Sequence, residues 1–205
     1  IKERIESSDT RIYDPNDLQY KVKHCNLIFR VYQKNELINS DEQQYLTLMN
    51  SIMDNGQSIE TRNGFVMSSF GEKMVFDLDR FPLLTTKKMG YKTILRELLW
   101  FLKGSTNNKE LKDKNVHIWD QNASKEFLET RGLPYEEDDL GPVYGFQWRH
   151  FGASYKDCKT EYNNKGFDQI KWLLQEIKTN PTSRRLILNA WNPPDLNKMA
   201  LPPCH

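Results

Sequence analysis

What the chain has little of narrows its reading first. Its 205 residues include only three cysteines, Cys25, Cys158 and Cys204, odd in number and far apart. They make neither a disulfide framework nor a CxxC metal pair, so a reducing, cytoplasmic setting is expected and no metal. Cys25 and Cys158 read as small buried hydrophobes. An excess of charge is missing too: 29 Lys+Arg against 28 Asp+Glu leave a net +1. That is not the basic field of a nucleic-acid binder, and no nucleic acid is required as a partner. The longest apolar run, Leu98-Leu99-Trp100-Phe101-Leu102, is far too short to cross a bilayer, and no signal peptide opens the chain. GxxxxGK[ST], GxGxxG, HExxH and GxSxG are absent, which removes support for nucleotide hydrolases, Rossmann enzymes, zincins and serine hydrolases. The first residue is Ile1 rather than methionine, and the expectation is that the chain was cut from something longer.

A chain of this length holds one domain, or one plus an appendage. Residues 1–35 read as the appendage, with a turn at Asp14-Pro15-Asn16-Asp17 and a strand over Asn26–Gln33. The core domain is expected over residues 36–205. Its first helix is capped by Ser40, with Gln43 three residues on, packs Tyr45, Leu48, Met49 and Ile52 on one face, and ends at Gly56. Phe65–Phe70 and Met74–Leu78, around Gly71-Glu72-Lys73, read as a hairpin. Gly90–Leu102 is apolar nearly all round and is expected to be buried. A second amphipathic helix runs from Gly166 to Lys178 with Phe167, Ile170, Leu174 and Ile177 inward, and Arg185–Trp191 is strand-like. Helices and strands mix without regular βαβ alternation, so the fold class is α+β.

Several residues in this frame could carry chemistry. Pro202-Pro203 presents Cys204 from a stiff, extended approach, and a thiolate is a nucleophile, although a lone cysteine is as often structural. His205 is adjacent, but neighbouring side chains of an extended segment point oppositely, which argues against a Cys–His dyad and leaves a structural role or a place beside the substrate. Arg184-Arg185 abuts the apolar Leu186-Ile187-Leu188, and guanidinium forks suit phosphate; because the two alternate in direction, a phosphate across a subunit interface is compatible. Glu97 is the sole acid of the apolar helix. It is either a buried group lifted toward proton-transfer range, or a salt-bridge partner of Arg96 or part of an exposed edge. Tyr144 and Gly145 belong to a rigid turn with an aromatic hydroxyl, and Arg62-Asn63-Gly64 is a turn carrying a cation.

Taken together, the blocks Phe81–Lys88 (FPLLTTKK), Glu97–Asn107 (ELLWFLKGSTN), Ile118-Trp119-Asp120, Asp139–Arg149 (DLGPVYGFQWR), Ser183-Arg184-Arg185, Ala190-Trp191-Asn192 and Met199–His205 (MALPPCH) resemble the thymidylate synthase family, in family order over about residues 40–205. The resemblance implies that family's fold, a mixed sheet packed with helices and here C-terminally incomplete. It implies a methyltransferase that converts dUMP to dTMP with 5,10-methylenetetrahydrofolate as donor of the one-carbon unit and the hydride. Cys204 would attack C6 of the pyrimidine, Glu97 would manage protons, and Tyr144 would stand near the proton-abstraction step. Arg62, Arg184, Arg185 and His205 would bind the nucleotide, with Arg184 and Arg185 reaching the opposite subunit of a homodimer. Ile118, Trp119, Asn122 and Glu97 would border the folate. Residues 1–35 resemble the last strand of a dihydrofolate reductase joined to a synthase. Two alternatives stay open: a related dCMP hydroxymethylase, whose discriminating residue would lie beyond His205, and a non-catalytic fragment that needs a complementing segment.

Overall fold

A computed structural model of the chain describes residues 39–61, 64–77, 79 and 81–204. The expected appendage, with Cys25 and the strand Asn26–Gln33, lies outside them, as do Arg62 and His205. The chain divides between Met89 and Gly90 into two compact units.

The first unit opens with helix α1, Ser40–Asn55. Its cap is Asn39, one residue before the expected Ser40: the Asn39 side chain accepts the Glu42 backbone N–H and donates its amide to the Glu42 carboxylate. A cap of this kind stabilises a helix by about 1 kcal/mol. The expected apolar face is covered only in part, with Tyr45, Leu48 and Ile52 half-buried and Met49 43% exposed; the buried residues of α1 are Asp41 and Glu42. Glu42 is the anchor of this unit. Its carboxylate accepts the backbone N–H and the hydroxyl of both Thr85 and Thr86 at 2.5–2.7 Å. The hairpin is one segment earlier than expected. Strand β1, Gln57–Thr61, pairs antiparallel with β2, Gly64–Ser68, in a register that sets Thr61 opposite Gly64, and Met74–Asp77 is not a strand. The hairpin thus reverses between Thr61 and Gly64 rather than around Gly71.

The second unit is helical. Helix α2, Tyr91–Lys103, closes at the left-handed Gly104. Short helices follow: α3 Lys109–Lys112, α4 Asp120–Ala123, α5 Lys125–Thr130 and α6 Tyr144–His150. Helix α7, Gln169–Thr179, and a 3-10 helix, Pro193–Lys198, complete it. The core gathers Trp100, Leu111, Trp119, Leu128, Leu140 and Met199, with Phe101 and Tyr144 packed at its edge.

Three expectations fail here for one reason. Helix α2 buries only Trp100, and Tyr91, Leu95, Leu98 and Leu99 stand 39–56% exposed. Helix α7 begins at Gln169, past the expected start at Gly166; Phe167 before it and Leu174 and Ile177 on it are about half exposed, and its buried residue is Gln169. Residues 185–191 form no ladder, and Asn189 gives its N–H to the Gln169 side chain instead of a strand. Periodicity shows which faces can be covered but not whether a partner meets them. The described residues are mixed α and β, but their only sheet is the β1–β2 hairpin.

Burial pushes the Glu42 carboxyl up, yet the Thr85 and Thr86 hydrogen bonds outweigh it and hold the group below the ordinary glutamate value. A depressed folded-state value stabilises above the unfolded-state value, and the contribution is lost as pH falls through the folded one. Thermal unfolding of Glu42→Gln beside the parent chain is expected to show a clear loss of stability at neutral pH. The gap should close as pH falls below the depressed value; a gap independent of pH would contradict this account.

Candidate active site

The site is framed by α2 and α6, which touch backbone to backbone. A Cβ on Gly145 would lie 2.8 Å from the Ser105 carbonyl oxygen and 3.0 Å from that of Phe101, so only glycine allows the approach. Tyr144 is the first residue of α6 rather than part of the turn before it. Glu97 and Phe101 are one helical turn apart on α2 and share a face.

Around these two helices a continuous group of four residues is assembled. The Trp119 indole N–H donates to Glu97 Oε1 at 2.7 Å. Arg96, the alternative partner of Glu97, instead donates to the Lys114 carbonyl. The Phe101 ring lies 4.8 Å from that of Tyr144 and 6.4 Å from that of Trp119, and Trp119 meets Tyr144 edge-on at 6.3 Å. The Tyr144 phenol oxygen accepts the Cys204 backbone N–H at 2.6 Å. Cys204 is exposed and follows the buried Pro203. Glu97, Trp119, Tyr144 and Cys204, distant in sequence, are thus linked by contact.

Their electrostatics differ in kind. Burial raises the Glu97 carboxyl above its ordinary value, and the Trp119 bond opposes that rise. Burial also raises the Tyr144 phenol, and the neighbouring Cys204 thiol and the Glu97 charge push it further, while the Cys204 N–H pulls the other way. A phenol so placed is neutral at neutral pH. The group therefore offers an exposed thiol, a protonated hydroxyl beside it, and a carboxyl moved toward the range of proton exchange. Cys158, by contrast, is half-buried, and burial with the nearby Asp139 charge pushes its thiol up to about 12. Such a thiol stays protonated at neutral pH, although it is only half-buried where a buried hydrophobe was expected.

The other expected residues are distributed around this group. Ile118, 52% exposed, precedes Trp119, and Asn122 is half-buried on α4, so apolar surface and one amide border its Trp119 side. This combination suits a flat, partly apolar ligand. Arg184 and Arg185 are exposed and line an open recess with Asn180, Thr182 and Ser183; none of their contacts reaches the four-residue group. Among the described residues no carboxylate pairs with either guanidinium, and no cluster of His, Cys, Asp and Glu is arranged to hold a metal ion.

Sequence reasoning missed the buried polar residues that brace the site. Asp139 accepts from the Tyr155 hydroxyl and from the backbone N–H groups of Gly141 and Cys158. Gln147, Asn192 and Asp195 bond one another. Nothing in an isolated Asp, Asn or Gln signals burial; the two prolines after Asn192 were the available hint that its segment is held rigid.

Comparison with known proteins places these features in a family. The family profile described as thymidylate synthase matches residues 43–205. The chain is 52% identical over 195 residues to a bifunctional dihydrofolate reductase-thymidylate synthase of Paramecium tetraurelia, an alignment covering 93% of this chain and 42% of that protein. It is 54% identical over 172 residues to a thymidylate synthase of Candida albicans, covering 82% of this chain and 55% of that protein. A thymidylate synthase of Equine herpesvirus 2 is 53% identical over 167 residues, covering 80% of this chain and 58% of the relative. The chain thus spans less than two thirds of the length of each. Among the described residues no helix is long and apolar enough to cross a membrane.

The Trp119 hydrogen bond favours the charged form of Glu97, so its removal should raise Glu97 further. In a carboxyl titration, with Glu97→Gln identifying the Glu97 signal by difference, Trp119→Phe is expected to move the midpoint upward. A midpoint that stays put or falls would show that the indole does not govern this carboxyl.

Proposed function

The chain belongs to the thymidylate synthase family, and on that premise we propose that it carries the nucleophile-bearing part of an enzyme that converts dUMP to dTMP. The observation that supports this reading is the contact chain Glu97–Trp119–Tyr144–Cys204. It puts an exposed thiol, a neutral phenol and a proton-exchanging carboxyl within one group.

In this reading the Cys204 thiolate forms a bond to C6 of the pyrimidine. The C5–C6 electron pair moves toward the C4 carbonyl oxygen, and C5 becomes a carbon nucleophile. 5,10-Methylenetetrahydrofolate, as co-substrate, supplies the one-carbon unit and the hydride. Tyr144, held protonated and hydrogen-bonded to the Cys204 amide, stands where the C5 proton is handled. Glu97, raised by burial, exchanges a proton with the pyrimidine as its charge changes. Ile118, exposed, gives the folate an apolar surface to pack on, with Trp119 buried behind it and Asn122 as a polar contact.

Arg184 and Arg185 bind the phosphate of a nucleotide held by the opposite subunit of a homodimer. Their exposure, and the absence of any described carboxylate against them, supports that role. Arg62 and His205 complete the nucleotide contacts in the same proposal. In the same proposal the complete domain has the family's mixed sheet packed with helices, of which the described residues contribute the helices and one hairpin.

Covalent trapping tests the reading in the complete protein. Denaturing electrophoresis and mass spectrometry with a 5-fluorinated dUMP are expected to show an adduct on the parent and none on Cys204→Ser. An undiminished adduct on the serine variant would remove Cys204 from the mechanism. Turnover of dUMP but not dCMP is expected; a preference for dCMP would turn the assignment to a hydroxymethylase.

A further inference from the structure

The segment that ends at Cys204 is gripped along its length by α6 and the turn before it. At the start of the segment, Gln147 of α6 donates its amide to Asp195 Oδ2 at 3.0 Å and to the Pro142 carbonyl at 3.0 Å. Asn192 donates to Gln147 Oε1 at 3.0 Å and to the same Asp195 oxygen at 3.1 Å. All three side chains are buried, Gln147 completely. The other Asp195 oxygen accepts from Lys198, one turn along the 3-10 helix.

In the middle of the segment, the Ala200 N–H donates to the Leu140 carbonyl at 3.0 Å. Gly141, at φ +73°, lies so close beneath Lys198 that a Cβ would sit 2.2 Å from the Lys198 carbonyl oxygen. At the end, the Cys204 N–H meets Tyr144, the residue that opens α6. Between these grips Met199 and Ala200 are buried, and Pro202-Pro203 restricts the backbone. A displacement at Asp195 has no slack in which to dissipate before it reaches the thiol.

We propose that the knot of Gln147, Asn192 and Asp195 sets the position from which Cys204 attacks, with Asp195 as a positioning residue for the nucleophile. The proposal rests on the reading of Cys204 as the attacking group. An apolar contact in the same place would allow the segment to slide. A desolvated carboxylate shared by two amide donors has one satisfied geometry, and losing it leaves buried polar groups unpaired.

The test separates attack from binding in the complete protein. The rate of covalent adduct formation with 5-fluoro-dUMP is measured in a single turnover, and nucleotide affinity is measured in a Cys204→Ser background. Because an ångström of misplacement costs about a hundredfold in rate, Asp195→Ala is expected to slow adduct formation about a hundredfold while the nucleotide dissociation constant changes less than about threefold. Asp195→Asn keeps an oxygen for both amides and gives up only the contact to the half-exposed Lys198 ammonium, so it is expected to recover most of the rate. Adduct formation at the parental rate in Asp195→Ala overturns the proposal, as does a parallel loss of rate and affinity that Asn does not rescue.

If Asp195→Ala fails to fold, Asn192→Ala, which leaves the Gln147–Asp195 bond in place, is read the same way. Slower attack at unchanged affinity supports the knot, and the parental rate overturns it. An adduct that persists in Cys204→Ser would instead refute the nucleophile reading itself, whatever Asp195 does.

Discussion

The site depends on a contact without side chains. Helix α6 lies on the last turn of α2 because Gly145 brings one backbone against the carbonyl oxygens of Phe101 and Ser105. That approach fixes the distance between two short lines of residues, Glu97 and Phe101 on one helix and Tyr144 and Gln147 on the other. With the helices so close, the Phe101 ring packs against both Tyr144 and Trp119, which also meet each other, and the indole reaches the Glu97 carboxylate directly. Any side chain at residue 145 would open that packing, whatever else stayed in place.

Around this contact the second unit uses buried polar groups where a sheet would otherwise supply order. Asp139, 1% exposed, is held by a hydroxyl and two backbone N–H groups rather than by a cation, and it ties the turn before α6 to the loop that carries Tyr155 and Cys158. Gln169 does the same for α7, bonding the Gln147 carbonyl and both backbone groups of Asn189. Such arrangements are directional, so they select one placement of irregular chain where apolar packing would accept several. This accounts for how a unit of short helices and long connections can still present four distant residues in one place.

The residues proposed to carry the chemistry stand out in the sequence, and their supports do not. Cys204 after two prolines, Glu97 alone in an apolar helix and Tyr144 in a glycine-rich turn each stand out by residue type. Trp119 did not stand out as their connector, because a bond spanning 22 residues leaves no trace in spacing. Gln147, Asn192 and Asp195 read as ordinary surface residues until their partners are seen. The position of Gly56 as a helix stop was legible, and the first helix does end at Asn55 with Gly56 as its cap. The burial of α2 and α7 was misjudged, because amphipathic periodicity describes a face and is silent about its neighbour. The hairpin slipped by one segment, reversing between Thr61 and Gly64 rather than around Gly71.

The bond between the Cys204 amide and the Tyr144 oxygen has one more consequence. In many nucleophile sites the attacking residue's own N–H stabilises the oxyanion formed on the substrate. Here that N–H is already committed to a phenol. Under the proposed reaction, an amide so committed offers no oxyanion contact beside Cys204, which suits attack on a ring carbon, where the developing charge appears several bonds from the sulfur. In that proposal, stabilisation of the charge falls to groups on the far side of the ring, and the thiol keeps the single task of making and breaking its bond.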